Sequence, residues 1–229
     1  MKNKEEVLSK LPDLASVLTA SERRQVLSVM KVETFKKNEP IYSEGDVPSH
    51  LLCLISGKVK IYKDGVGGRA QIVRVLNAVE YFGFRAAFAG EDYVTSAAAF
   101  EPSVIACIPI TLIQDLVMRN ARLGWFFIHR LATALGKSDA RTVGLTQKHI
   151  RGRLAESILF LKDSYGTEDD GETLSIKPSR EDMANLSNMT TSNAIRTLST
   201  FAQENLISLD GRKIRILDEP ALQKISRIG

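Results

Sequence analysis

Apolar positions change their period twice along the chain. From about Val32 to Pro109 they form short runs, VETFKK, PIYSEGD, LLCLISGKVKIYK, QIVRVL, VTSAAAF and SVIACIPI, broken by residues that favour turns, which predicts short strands. Gly45-Asp46, Ser56-Gly57, Asp64-Gly65 and Gly67-Gly68 supply hairpin and turn positions that accept positive φ. Strands recurring at this spacing suggest a sandwich or barrel. Alternation in LLCLISGKVKIY is only partial, which fits strands buried in a closed jelly roll rather than a half-exposed sheet. Between the last runs, YFGFRAAFAGED breaks the β pattern. It reads either as one helical turn opened by Gly83 and closed by Gly90, whose N–H groups would suit an anion, or as a simple loop with a buried aromatic.

The second regime is helical. One long helix is predicted from about Thr111 to Gly144, with Ile128, Leu131, Leu135, Ser138, Thr142 and Leu145 following alternating steps of three and four, an a/d seam. Leu123 and Phe127 give it a second apolar face. One face can cover the strands while the other meets an identical helix in a parallel homodimer; the alternative is a single helix buried between two parts of one chain. A further helix, IRGRLAESILFLKDSYG, and a polar loop, TEDDGE, lead to KPSREDMANLSNMTTSNAIRTLSTFAQENLISLDGRKIRIL. There Ser179 caps a helix carrying Glu181 and Asp182 in its first turn and Met183, Ala184 and Leu186 inside. Ser187-Asn188 makes a turn, Thr190 or Thr191 caps a second helix, and Ala194, Ile195, Leu198 and Phe201 are expected to form its buried face. Two short helices across such a turn are a helix-turn-helix. LISL, Asp210-Gly211 and KIRI add a hairpin wing with Arg212 and Lys213 at its tip.

Composition narrows the function. The 229 residues are 44% hydrophobic and 25% charged, the balance of a soluble globular protein of one or two domains. No run approaches a membrane span, and MKNKEEVLSKLPD lacks the apolar stretch of a secretory signal, so a cytoplasmic protein without membrane partners is expected. Cys53 and Cys107 lie in apolar runs and read as core thiols. His50, His129 and His149 are not spaced as metal ligands, so no metal site is expected. The net charge is +4, but Thr111 to Arg153 carries eight basic residues against Asp115 and Asp139, and from Lys148 onward twelve basic residues face twelve acidic ones. Any polyanion must therefore be met by local placement. A nucleophile elbow, a phosphate loop and a metal-spaced cluster are all missing from the sequence, which argues against an enzyme.

The order of β-roll, long helix and winged helix-turn-helix, with GKVKIY, the FG helix, TSA and NLISLDGRKIRIL, resembles the cAMP receptor protein/FNR (Crp/Fnr) family of bacterial transcription regulators over nearly the whole chain. The resemblance implies an α+β chain with N-terminal helices and a cyclic-nucleotide-binding-like β-roll over 1–110, a dimerisation helix over 111–147 and a winged helix-turn-helix over 148–229. It implies a homodimer on palindromic double-stranded DNA, acting with RNA polymerase and gated by a small-molecule effector. Carried onto this chain, the DNA-binding residues would be Ser179, Arg180, Thr190, Thr191, Ser192, Asn193, Arg196, Arg212 and Lys213. The effector pocket would involve Gly83, Phe84, Arg85, Ala86, Ala87, Thr95, Ser96 and Ser138, and the dimer Ile128, Leu131, Leu135, Thr142 and Leu145.

Departures from the family pattern sharpen these expectations. Where cAMP-binding members place a glutamate for the ribose and an arginine for the cyclic phosphate, this chain has Phe84 and Thr95. Neither replaces the lost charge, so an effector other than cAMP is expected. Met1 to Val32 contains no cysteine, so the amino-terminal iron–sulfur cluster of FNR proteins cannot form. Some members bind haem, and His50, His129, Cys53 and Cys107 are the available axial ligands; the sequence does not choose among them. Of the family's SRExxxR recognition pattern only Arg196 is kept, with Thr191 and Ser192 at the preceding arginine and glutamate positions, which predicts a different base preference. The competing class is a haem or small-molecule sensor whose output is protein contact.

Overall fold

The computed structural model describes residues 4–65 and 70–228, with the side chains of all of these except 140, 141, 145 and 146. The Gly67-Gly68 turn and the Leu145 side chain therefore lie outside the described residues. The chain divides into two compact units, one of residues up to 64 with 73–136 and one of 65–72 with 137 onward.

Three helices open the first unit: α1 (Lys4–Ser9), α2 (Pro12–Val17) and α3 (Ala20–Val29). A capping box starts α3: Glu22 N–H donates to Thr19 Oγ1, and the Glu22 carboxylate accepts from Thr19 N–H at 2.7 Å. That backbone donor is the main reason the Glu22 carboxyl is held below its usual range. The strands are β1 (Lys31–Phe35), β2 (Pro40–Tyr42), β3 (His50–Ser56), β4 (Lys58–Asp64), β5 (Ala70–Asn77) and β6 (Glu80–Phe82), then, after helix α4 (Phe84–Ala89), β7 (Ser96–Ala99) and β8 (Ser103–Pro109). They build two four-stranded sheets, in the orders β1-β8-β3-β6 and β2-β7-β4-β5.

Register explains the near-continuous apolar run of β3. Leu52 pairs with Cys107 and Cys53 with Ala106. Leu52, Leu54, Ile105 and Cys107 face the roll interior with Val59, Ile61, Leu76, Phe82 and Ala97. Leu51, Cys53, Ile55, Ala106 and Ile108 face a second core shared with the helices. Both faces of β3 are covered, so neither requires polar residues. Ser56-Gly57 is not a hairpin turn, because β3 and β4 belong to different sheets. It is the corner between them, and a Cβ at Gly57, whose φ is +88°, would lie 2.4 Å from the Pro102 carbonyl oxygen.

The single long helix expected from Thr111 is two helices, α5 (Ile110–Arg119) and α6 (Ala121–Gln147). Asn120 makes the break. Its Oδ1 accepts from Leu123 N–H at 3.1 Å, capping α6, while its Nδ2 donates to the Val17 carbonyl at 3.0 Å and Glu22 Oε2 at 2.9 Å. Such local side-chain bonds compete with helix continuation. Arg130 on α6 is 4.2 Å above the Tyr81 ring and 4.4 Å above the Phe126 ring and pairs with Asp13 of α2.

The second unit contains α7 (Ile150–Tyr165), α8 (Arg180–Leu186), α9 (Thr191–Gln203), the antiparallel hairpin β9 (Ile207–Asp210) and β10 (Lys213–Ile216), and α10 (Glu219–Ile228). Leu154, Ile158, Leu161, Met183, Leu186, Leu198, Phe201, Ile214 and Leu222 are buried. Among the described residues no helix is long and apolar enough to cross a membrane.

Candidate nucleic-acid interface

Local chemistry fixes the geometry of α8 and α9. Ser179 Oγ accepts from Asp182 N–H and the Asp182 carboxylate accepts from Ser179 N–H, each at 3.0 Å, so Ser179 is occupied as a cap. In the turn, Ser187 is buried with its hydroxyl on Ser157 Oγ at 2.8 Å, and Asn188 takes a φ of 48°. Thr190 Oγ1 then accepts from Asn193 N–H at 3.2 Å to start α9.

The buried face of α9 is Ala194, Thr197, Leu198 and Phe201. Ile195, expected there from the sequence, is 46% exposed. It sits a full turn from Thr191, Ser192 and Ser199, about 100° round the helix from Ala194. The outward face thus carries Thr191, Ser192, Ile195, Arg196 and Ser199, all exposed. Arg196 Nη2 donates to Asn193 Oδ1 at 2.7 Å, which steadies the guanidinium along the helix. No feature of the apolar spacing marked Ile195 as outward; that required knowing which neighbours fill the core.

Arg180 reaches back to the wing, where its Nη2 donates to the Gly211 carbonyl at 2.8 Å. Arg212 is exposed beside it. Lys213 pairs with Glu168 at 3.3 Å, Lys177 with the same carboxylate at 3.9 Å, and Arg215 with Glu172 at 2.7 Å. These acids belong to the TEDDGE loop, which is stitched to the wing by Leu174 N–H to the Ile214 carbonyl at 2.9 Å and Ile216 N–H to the Glu172 carbonyl at 3.0 Å. Asp170 organises the loop by accepting from the Thr173 hydroxyl and N–H, bonds that hold its carboxyl down to about 2. The sequence showed a polar loop and a basic wing but not that one neutralises the other.

Of the predicted effector residues, Gly83 and Thr95 adjoin the stacked Tyr42 and Tyr93, with Arg85 close enough to act on the Tyr42 phenol, whereas Phe84 turns into the core. Phe84 is buried against Phe88 and Phe127, with ring centroids 5.7 and 5.0 Å away. Arg85 is exposed and 3.6 Å from Glu91. Ala86 is buried and Ala87 half-buried. Gly83 begins α4 at φ +81°, where a Cβ would meet Tyr93 Oη at 3.0 Å. Tyr93 stacks on Tyr42 at 3.8 Å. Burial pushes the Tyr42 phenol up, opposed by its hydrogen bond with Thr95. Ser96 Oγ accepts from Glu44 N–H at 3.0 Å, and Ser138 is exposed on the part of α6 that belongs to the second unit. Phe84, in the core, and Thr95, bonded to Tyr42, carry no charge at the two positions where cAMP-binding members of the family resembled place a glutamate and an arginine.

Of the haem candidates, Cys53 and Cys107 are buried on opposite faces of one sheet, and burial pushes the Cys107 thiol up to about 12. His50 Nδ1 lies 2.8 Å from Ser49 Oγ, and His129 is exposed on α6. Among the described residues, no group of three or more His, Cys, Asp or Glu could hold a metal ion.

Along α6, Leu123 and Phe127 are buried and Leu131 packs partly buried against the same core. Trp125, Ile128 and Leu135 are 67, 55 and 64% exposed. With the exposed Ala132 they form a stripe stepping by three and four, which continues to the exposed Thr142 and Val143.

Comparison with known proteins follows the same division. Residues 32–120 match the cyclic nucleotide-binding domain model and residues 152–225 the Crp-like helix-turn-helix domain model. The chain is 25% identical to the global nitrogen regulator of a Nostoc species over 81% of its length and 84% of the relative's. It is 22% identical to the CRP-like cAMP-activated global transcriptional regulator of Mycobacterium tuberculosis over 84% of its length and 87% of the relative's. A Crp/Fnr-family regulator from Eubacterium rectale superposes with a TM-score of 0.81 at 19% identity, covering 93% of this chain and 97% of the other.

Proposed function

Because this chain belongs to the Crp/Fnr family of transcription regulators, we propose that it works as a homodimer that lays two copies of α9 in successive major grooves of a palindromic operator. The observation that carries this reading is the outward face of α9, where Thr191, Ser192 and Arg196 stand exposed on a helix capped by Thr190 and braced by the helix before it. Polar donors on a rigid helix can meet base edges. The exposed Trp125, Ile128 and Leu135 stripe supports pairing through α6, since an apolar ridge of this length on a helix favours an identical partner.

The effector is a small molecule other than cAMP, because Phe84 is a core side chain and Thr95 bonds Tyr42. RNA polymerase is the expected partner once the operator is bound. The test is a gel-shift titration at several salt concentrations combined with selection from random duplex DNA. A DNA regulator of this kind gives log K falling steeply with log salt and a two-fold symmetric site whose half-sites are about 10 bp apart. Salt-independent association, or selected sites without two-fold symmetry, would contradict it.

A further inference from the structure

We propose that Ile195 is a specificity-determining residue that reads a thymine by contact with its C5-methyl group. The inference rests on the reading that α9 enters the major groove. Single exposed aliphatic side chains are ordinary on protein surfaces; the place of this one is not. Ile195 lies 46% exposed among Thr191, Ser192, Arg196 and Ser199, while Ala194, Leu198 and Phe201 already fill the space beneath the helix. Folding therefore does not require an isoleucine here, and a β-branched residue is a slightly poorer helix former than alanine.

An aliphatic side chain can neither donate nor accept a hydrogen bond, so it gains nothing from the edges of guanine, adenine or cytosine. The thymine methyl is the apolar feature the major groove offers. Being β-branched, Ile195 has few χ1 states to lose on contact. It immediately precedes Arg196, and one residue of helix rises about 1.5 Å against about 3.4 Å per base pair. The thymine is therefore placed within one or two base pairs of the pair that Arg196 meets.

The experiment begins with sites selected from random duplex by the full-length protein. Each half-site thymine near the Arg196 contact is then replaced in turn by uracil, which removes only the methyl group. Wild type should lose about 4-fold in affinity at one position, the worth of one buried methyl. Ile195→Ala should bind the thymine and uracil duplexes equally and should accept other bases at that position in a repeat selection. Ile195→Val should keep part of the discrimination. A wild-type protein indifferent to uracil at every half-site thymine, or an Ile195→Ala protein with the full uracil penalty, would overturn the inference while leaving DNA regulation intact. Failure to select any symmetric site would overturn that underlying reading, and this inference with it.

Discussion

The 2.7 Å hydrogen bond between Arg196 and Asn193 does at the residue level what a free arginine on a surface cannot. On the proposed reading of α9 it aligns the guanidinium before DNA arrives, so less side-chain freedom is lost on binding. Arg196→Ala should weaken operator binding by about 1–3 kcal/mol and relax preference at one base pair per half-site if the contact is to a guanine edge. Competition binding against single-base variants reads this directly; a uniform loss on all sequences with a flatter salt slope would make Arg196 a phosphate contact instead. Asn193 itself was legible from the sequence as a member of the expected DNA-binding set, but not as the partner of Arg196. Its role as the positioning partner depends on the rotamers that α9 imposes.

At the level of elements, α6 and the wing carry the clearest expectations. Leu131 and Leu135 look equivalent in the heptad, yet Leu131 packs against the first unit's core and Leu135 is exposed. Leu135→Asp should therefore leave the fold and its melting temperature nearly unchanged while sedimentation shows a monomer at micromolar concentration and DNA binding is lost. Leu131→Asp should instead destabilise the first unit by several kcal/mol, because a carboxylate would be forced against apolar side chains. Equal melting temperatures for the two variants would refute the assignment of faces. On the wing, Glu168 and Glu172 hold Lys213 and Arg215 in ion pairs that DNA phosphates would have to displace. The double change Glu168→Gln and Glu172→Gln should raise affinity for non-operator duplex more than for operator, and steepen the salt slope by about 1 for each additional phosphate neutralised. An unchanged slope would place the wing away from the backbone.

For the whole molecule, the first unit and the second unit make separable predictions. Calorimetry should detect no saturable cAMP binding, and cAMP should not raise operator affinity, since Phe84 and Thr95 carry no charge to meet the ribose and the cyclic phosphate; micromolar binding would refute this. The sequence by itself determined the short strands of the β-roll, the helix-turn-helix with its capping residues and the uncharged Phe84 and Thr95. Each is written in local signals: turn residues with positive φ, a cap three residues from its acid, or a residue identity at a motif position. Tertiary structure alone decided that Gly57 turns a corner between sheets, that Asn120 divides the long helix, that Ile195 faces outward and that an acidic loop lies on the wing. Those outcomes depend on which distant chain segment fills the neighbouring space. The Pro102 carbonyl crowds Gly57, Val17 and Glu22 receive Asn120, Ala194 with Phe201 occupies the core that Ile195 leaves, and Ile214 pairs with Leu174 to carry the acids onto the cations. Periodicity reports how a side chain relates to its own helix or strand, whereas packing between segments far apart in sequence sets which of two plausible faces is buried.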